Sequence, residues 1–305
     1  MQNVIDTLRN EISLAGAGKC LLWVNPAQRD PYADHALVAP RRVRVPIANG
    51  LFARELAPYF VPLDLTAPDD AGLFTDSVQR AWEGWSMESL EASRGHEICG
   101  WITTQCASGQ LASHWGRYCH LHGHGGKLKL LRFHDPGVRE WLWPTLEDTQ
   151  KQPLMRHASC LYAIGRDQAV LRHTCAPGAA TAGAFNLTAR QWQQVGDYAA
   201  VHAAWLACPV AQRTPFSERV VLEALSHAAS HGVTQDTERA LYALHALQLG
   251  PHFHKDARMQ AVWEQTRAGN YYGSAIDDTF ACPPNELHLH WTSPEEKQDG
   301  LRQSR

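Results

Sequence analysis

The stretch Lys127-Leu128-Lys129-Leu130-Leu131-Arg132-Phe133-His134-Asp135-Pro136-Gly137-Val138-Arg139 decides how the chain is read. From Lys127 to Asp135 its side chains alternate as on a strand, with Leu128, Leu130 and Arg132 on one side and Lys129, Leu131 and Phe133 on the other. Pro136 ends that run. Asp135 is placed to cap a following helix, and Pro136 to occupy the first helical position, where its missing N–H costs nothing. A strand running directly into a helix is the building unit of an α/β domain, and the flanking sequence repeats it.

Upstream, Leu21-Leu22-Trp23-Val24 reads as a strand closed by Asn25-Pro26. Tyr59 to Leu65 reads as another, in which Pro62 argues for an edge position or a strand end. Thr66 to Gly72 reads as a polar turn, and Phe74 to Trp82 as a short helix started by Thr75 or Asp76. Ile98 to Thr104 fits a half-buried strand, Ser108 to His120 has helical spacing through Leu111, Trp115 and Cys119, and His122 to Gly126 is a turn. Downstream, helices are expected over Val138 to Trp143 and Leu146 to Arg156, then strands Cys160 to Ile164 and Ala169 to Leu171 around a loop at Gly165-Arg166-Asp167. These elements predict an N-terminal α/β domain over residues 1–175, with a mixed sheet flanked by helices.

At Ala176-Pro177-Gly178-Ala179-Ala180-Thr181-Ala182-Gly183 the composition changes to that of a flexible connection, which sets a linker at 176–186. An all-α region is expected over 187–292. Trp192, Val195, Ala199, His202 and Leu206 mark one helix, Val221, Ala224, Leu225 and Ala228 a second closed by Gly232, and Leu241, Leu244 and Leu247 a third ended by Gly250-Pro251. Thr214-Pro215 is the start signal of the second. The sequence after Gly269 reads as irregular, and 293–305 as a disordered tail.

A formal net charge of −3 provides no broad positive field, so neither nucleic acid nor an anionic membrane is an expected partner. Asp6, Arg9 and Glu11 interrupt the apolar positions of the amino-terminal segment, unlike a secretory signal. The apolar stretch Tyr198 to Ala211 is too short and interrupted to span a bilayer, so stable membrane insertion is not expected. Eight cysteines without C-x-x-C spacing read as reduced thiols of a cytoplasmic protein.

Three groups of residues invite a chemical reading. His114, Cys119, His120, His122 and His124 are types that bind zinc or copper, but they lack the second spaced ligand pair of a structural zinc site. A metal-binding protein or metal-dependent hydrolase built on them is the alternative function; the main reading expects no metal, cofactor or catalytic residue. No G-x-S-x-G, phosphate-binding glycine loop or H-E-x-x-H occurs, and His134-Asp135 are neighbours that would point to opposite strand faces. Trp82, Trp85, Trp101, Trp115, Trp141 and Trp143 are concentrated in one region, and Trp141 and Trp143 are the candidate exposed aromatic anchors for a partner.

The run Leu131 to Arg139, followed by Leu142 and Pro144-Thr145-Leu146, resembles the signature of the type VI secretion effector adaptor/chaperone family (domain of unknown function 4123, Tap/TEC-like), which reads R-F-aromatic-D-P-R-V and then L-P-x-L. Pro58-Tyr59-Phe60-Val61-Pro62-Leu63 is similar to the family's P-Y-L-V-x-L strand, and Trp82-Glu83-Gly84-Trp85 to its W-G region. His134 replaces the usual aromatic residue and Gly137 the usual arginine. The resemblance extends over roughly Leu21 to Leu171. It marks Tyr59, Trp82, Trp85, Arg132, Phe133, His134, Asp135, Pro136, Val138, Arg139, Pro144 and Leu146 as structural or partner-binding residues. It implies a bacterial, non-enzymatic adaptor or chaperone that binds a cognate effector toxin, often through an N-terminal or PAAR-containing region, and loads it onto the VgrG spike. A non-secretory scaffold or immunity-like binder is a further alternative.

Overall fold

The computed structural model describes residues 1–27, 29–47, 53–86, 88–89, 95–123, 126–175, 184–208 and 218–291. The chain forms two units, Met1–Gln194 and Val195–Arg305.

Unit 1 is built on a six-stranded sheet of order β2-β3-β1-β4-β7-β8, from β1 (Lys19–Val24), β2 (Val43–Arg44), β3 (Tyr59–Asp64), β4 (Ile98–Thr103), β7 (Cys160–Ile164) and β8 (Val170–His173). The expected sheet with flanking helices is present, and every pairing in it is antiparallel. Helices α1 (Gln2–Gly16) and α2 (Pro68–Glu83) bury Ile5, Leu8, Ile12, Phe74 and Val78 in one core with Leu22, Val61, Trp101 and Tyr162. Alternate strand residues, among them Trp23, Phe60 and Cys99, are buried as well. Trp23 and Phe60 meet Trp115 of α3 (Ser108–Gly116), and Cys99 meets Arg139 of α4 (Pro136–Leu142). Helix α5 (Asp148–Met155) follows α4.

Several local expectations are corrected. Helix α2 begins at Pro68, within the expected turn, because Pro68 supplies the first position and Asp69 and Asp70 the favourable acidic first turn. Strand β4 is buried along its whole length rather than half-buried, since helices cover both its faces. Pro62 lies in β3, between β2 and β1, but β2 pairs only with Tyr59 and Phe60. The Pro62 carbonyl points away from β1 and accepts from Arg41 Nη1 at 3.2 Å, so the missing N–H points outward too, where no strand needs it.

The predicted strand Lys127 to Asp135 is mostly not a strand. Only β6 (Leu128–Leu130) is extended, paired with β5 (His120–His122) in a separate two-stranded ribbon. Leu131, Phe133 and His134 are all buried, which two-residue alternation cannot supply, and the Asp135 N–H closes a turn onto the Arg132 carbonyl at 2.9 Å. The Ser108 to His120 helix correspondingly stops at Gly116.

The division between the units falls inside α6 (Ala189–Ala207), downstream of the linker expected at 176–186. Phe185, Leu187 and Trp192 are buried, and Gln191 Nε2 donates to the Thr145 carbonyl at 2.9 Å, which binds this segment to unit 1. Residues 176–183 of that linker, the Thr214-Pro215 signal and the tail from 293 lie outside the described residues.

Unit 2 is helical, with α7 (Glu218–Ala228), α8 (Asp236–Leu249), α9 (Gln260–Arg267) and α10 (Tyr272–Phe280) around a core that includes Val221, Leu225, Leu247, Trp263 and Ile276. The sequence after Gly269, expected to be irregular, carries α10 and a 3-10 helix at Pro284–His290, because Tyr272, Ala275, Ile276 and Leu287 are buried. Gly232 has φ 86°, as its closing role requires. No described helix is long and apolar enough to cross a membrane.

Candidate interaction site

The motif residues from Phe133 to Arg139 meet at the junction that leads into α4. Asp135 accepts at Oδ1 from the Gly137 N–H at 2.9 Å and the Val138 N–H at 3.4 Å, and Pro136 follows it at the first position, as expected for a cap. Burial opposes the charge on Asp135, but His96, Arg132, His134 and the Gly137 N–H outweigh it and hold the carboxyl below its usual range.

Arg139, one turn into the helix, is fully buried. Its Nη1 donates to the carbonyls of Phe133 (3.1 Å) and His134 (3.3 Å), and its Nη2 to that of Cys99. The Cys99 carbonyl is available because β4 bulges there: Trp23 pairs with Gly100 but Val24 with Ile98, leaving Cys99 as the extra residue. Gly100 has φ 139°, and a Cβ on it would stand 2.1 Å from the Tyr162 oxygen, so only glycine allows β4 to approach β7 there. The guanidinium also lies 5.6 Å from the Trp23 ring centre and 5.7 Å from that of Phe133. Burial lowers the Arg139 pKa to about 10, so it remains charged at neutral pH.

The other motif residues are divided between this junction and the core shared with α1 and α2, where Tyr59 and Trp85 pack. Phe133, Val138 and Leu146 are buried. Trp85 is buried and donates Nε1–H to the Ile164 carbonyl at 2.8 Å, while Trp82 is half-buried. Burial pushes His134 down to about 4, so it is neutral at physiological pH. Arg132 and Pro144 are exposed. Trp141 and Trp143, expected as exposed anchors, are both half-buried, Trp143 lying 4.8 Å from the His173 ring.

Tyr59 belongs to a polar network that sequence reading missed. Its hydroxyl donates to Asp30 Oδ1 at 2.6 Å, and Arg42 lies over its ring at 4.9 Å. The Tyr32 hydroxyl donates to Asp76 Oδ2 at 2.8 Å, which also accepts from Arg80 Nε at 2.8 Å, and Arg29 Nε donates to Glu97 Oε1 at 2.7 Å. Burial and the adjoining carboxylates raise both phenols, which stay as neutral donors. This network ties the segment before β2 to β3, α2 and the start of β4. Its members are scattered from 29 to 97 without any periodic signal.

The described members of the His/Cys group do not converge. His114 is buried, with Nε2 2.8 Å from the Pro153 carbonyl. Cys119 is also buried, which raises its thiol to about 12. His120 and His122 lie on β5, with the exposed His122 Nδ1 3.0 Å from the Gly126 carbonyl, and His124 lies outside the described residues. Among the described residues no three His, Cys, Asp or Glu side chains are grouped to hold a metal ion.

The ribbon itself carries an outward feature. Leu128 is 52% exposed and Leu130 36%, on an extended segment with no strand beyond it among the described residues. The alternation of Lys127 to Leu130 in the sequence was its only signal.

Unit 1 is therefore a helix-flanked antiparallel sheet in which Asp135 and Arg139 lock the entry of α4. Residues 29–153, from the segment before β2 into α5, match the model of a family described as Domain of unknown function (DUF4123). No curated protein and no solved structure matches the chain.

Proposed function

We propose that the chain is a non-catalytic adaptor that binds a cognate type VI secretion effector, the PAAR-containing region of that effector included where one exists, and loads it onto the VgrG spike. The observation that carries this reading is the match of residues 29–153 to DUF4123, a family associated with type VI effector adaptors. The geometry supports it in kind. Asp135 and Arg139 spend their charges on backbone groups of their own unit, and the buried thiol of Cys119 is held protonated, so these motif and cluster residues offer no activated nucleophile or base. What this leaves for function is a rigid sheet-based scaffold presenting surface elements to partners.

The test is co-purification of the full chain with the type VI effectors and VgrG proteins encoded in the same genome. Capture of both in a salt-stable complex is expected; capture of neither would remove the adaptor reading.

A further inference from the structure

Among the described residues, the β5–β6 ribbon leaves one strand edge open in a defined direction. The Leu131 N–H donates to the Cys119 carbonyl at 2.7 Å, and the Gly123 N–H to the Lys127 carbonyl at 2.8 Å. In an antiparallel pair, alternate residues turn their N–H and C=O toward the partner, so Lys127, Lys129 and Leu131 bond to the β5 side. The N–H and C=O groups of Leu128 and Leu130 therefore face away from β5, on residues whose side chains are also exposed. Between Glu97 and Glu140 the only carboxylate is Asp135, which is committed to its cap, while Arg117, Lys127, Lys129 and Arg132 are all exposed.

We infer that the outer edge of β6 takes up, by strand addition, an extended segment of a partner protein in which acidic and apolar residues alternate. Each part of the occupant answers a feature of the edge. The outward backbone groups of Leu128 and Leu130 require an extended chain, their side chains provide apolar contacts two residues apart, and Lys127, with Lys129 whose Nζ lies 5.6 Å from the Trp192 ring centre, favours carboxylates at the intervening positions. A second copy of the same strand fits less well, because pairing β6 with itself sets lysines against lysines. Assigning the segment to the secreted cargo rests on the adaptor reading; the edge and its chemistry do not.

The full-length protein is titrated with a short fluorescent peptide alternating valine with glutamate, and with its counterpart bearing lysine for glutamate. The glutamate peptide is expected to bind with roughly tenfold or greater preference. Leu130→Pro, which removes an outward N–H not used by β5, and Leu128→Asp, which leaves the backbone unchanged, each weaken it by roughly tenfold or more while circular dichroism and the thermal midpoint stay at wild-type values. Equal binding of the two peptides, unchanged binding by both variants, or a wild-type dimer dispersed by Leu130→Pro would overturn the inference. Effector recovery that is equal for wild type and Leu130→Pro overturns the assignment of the segment to the cargo and leaves the adaptor reading standing. Peptide binding by a chain that recovers no effector supports the edge site and removes the adaptor reading.

Discussion

Arg139 shows what a single motif residue does here. One buried guanidinium satisfies three carbonyls, those of Phe133, His134 and Cys99, from two separate parts of the chain. Arg139→Leu keeps apolar bulk but strands those acceptors, and a cost on the order of 3 kcal/mol is expected in urea unfolding. Arg139→Lys recovers little of it, because an ammonium lacks the planar fork; full stability in either variant would show that the carbonyls find other donors. Asp135→Ala is expected to cost about 1 kcal/mol through loss of the α4 cap, and Asp135→Asn to recover most of that. Buried histidines set the pH response. In unit 2, burial lowers the fully buried His245 from 6.5 to about 4, and its Nδ1 and Nε2 lie 2.6 Å from the Tyr272 hydroxyl and 2.7 Å from the Pro284 carbonyl. His134 in unit 1 is lowered similarly. Below about 6.5 the unfolded chain binds protons that the folded histidines refuse, so stability present at neutral pH is lost as pH falls through that window toward 4. Urea midpoints measured across this range should fall steadily; a flat profile down to about pH 4.5 would contradict the buried neutral imidazoles.

At the scale of elements, the β4 bulge joins sheet and motif. Gly100→Ala places a methyl carbon against the Tyr162 carbonyl, and a loss of more than about 2 kcal/mol is expected in thermal or urea unfolding, larger than a surface Gly→Ala change produces. A near-neutral effect would mean that β4 and β7 can part without cost. Most elements were legible because local signals coincide with the packed structure. Leu21 to Val24, Cys160 to Ile164 and the Asp135-Pro136 helix start are examples. Strand reading failed at Leu131 to Asp135, where buried Leu131 and Phe133 on either side of exposed Arg132 mimic alternation until the burial of His134 and the turn at Asp135 are seen. The extent of α2 was missed because Pro68 and Asp70 read as turn residues in isolation, although Asp70 also accepts from the Asp64 N–H at 2.8 Å. Nor could the sequence show that Arg139 is a buried donor, since its three acceptors include Cys99, forty residues away.

Across the whole molecule, the family match at 29–153 lies entirely within unit 1, which carries the Arg139 junction, the tyrosine and carboxylate network and the open ribbon edge. Unit 2 has its own core and its own buried polar contacts, such as the Arg239–Asp197 ion pair, and lies outside that match. On the proposed adaptor reading, the β6 edge of unit 1 is the generic contact, and the choice among cargoes is an expectation for unit 2. Exchange of residues 195–305 for the corresponding region of a DUF4123 protein with a different effector should redirect effector capture while VgrG capture persists; loss of VgrG with effector capture retained would reverse the assignment. The most direct test of the proposed loading is made in the bacterium itself, by deleting the gene and following export of the effector that co-purifies with the protein, and of VgrG, into the medium. The account predicts that effector export stops while VgrG export continues, and that it returns with the wild-type gene; undiminished effector export without the protein would contradict it.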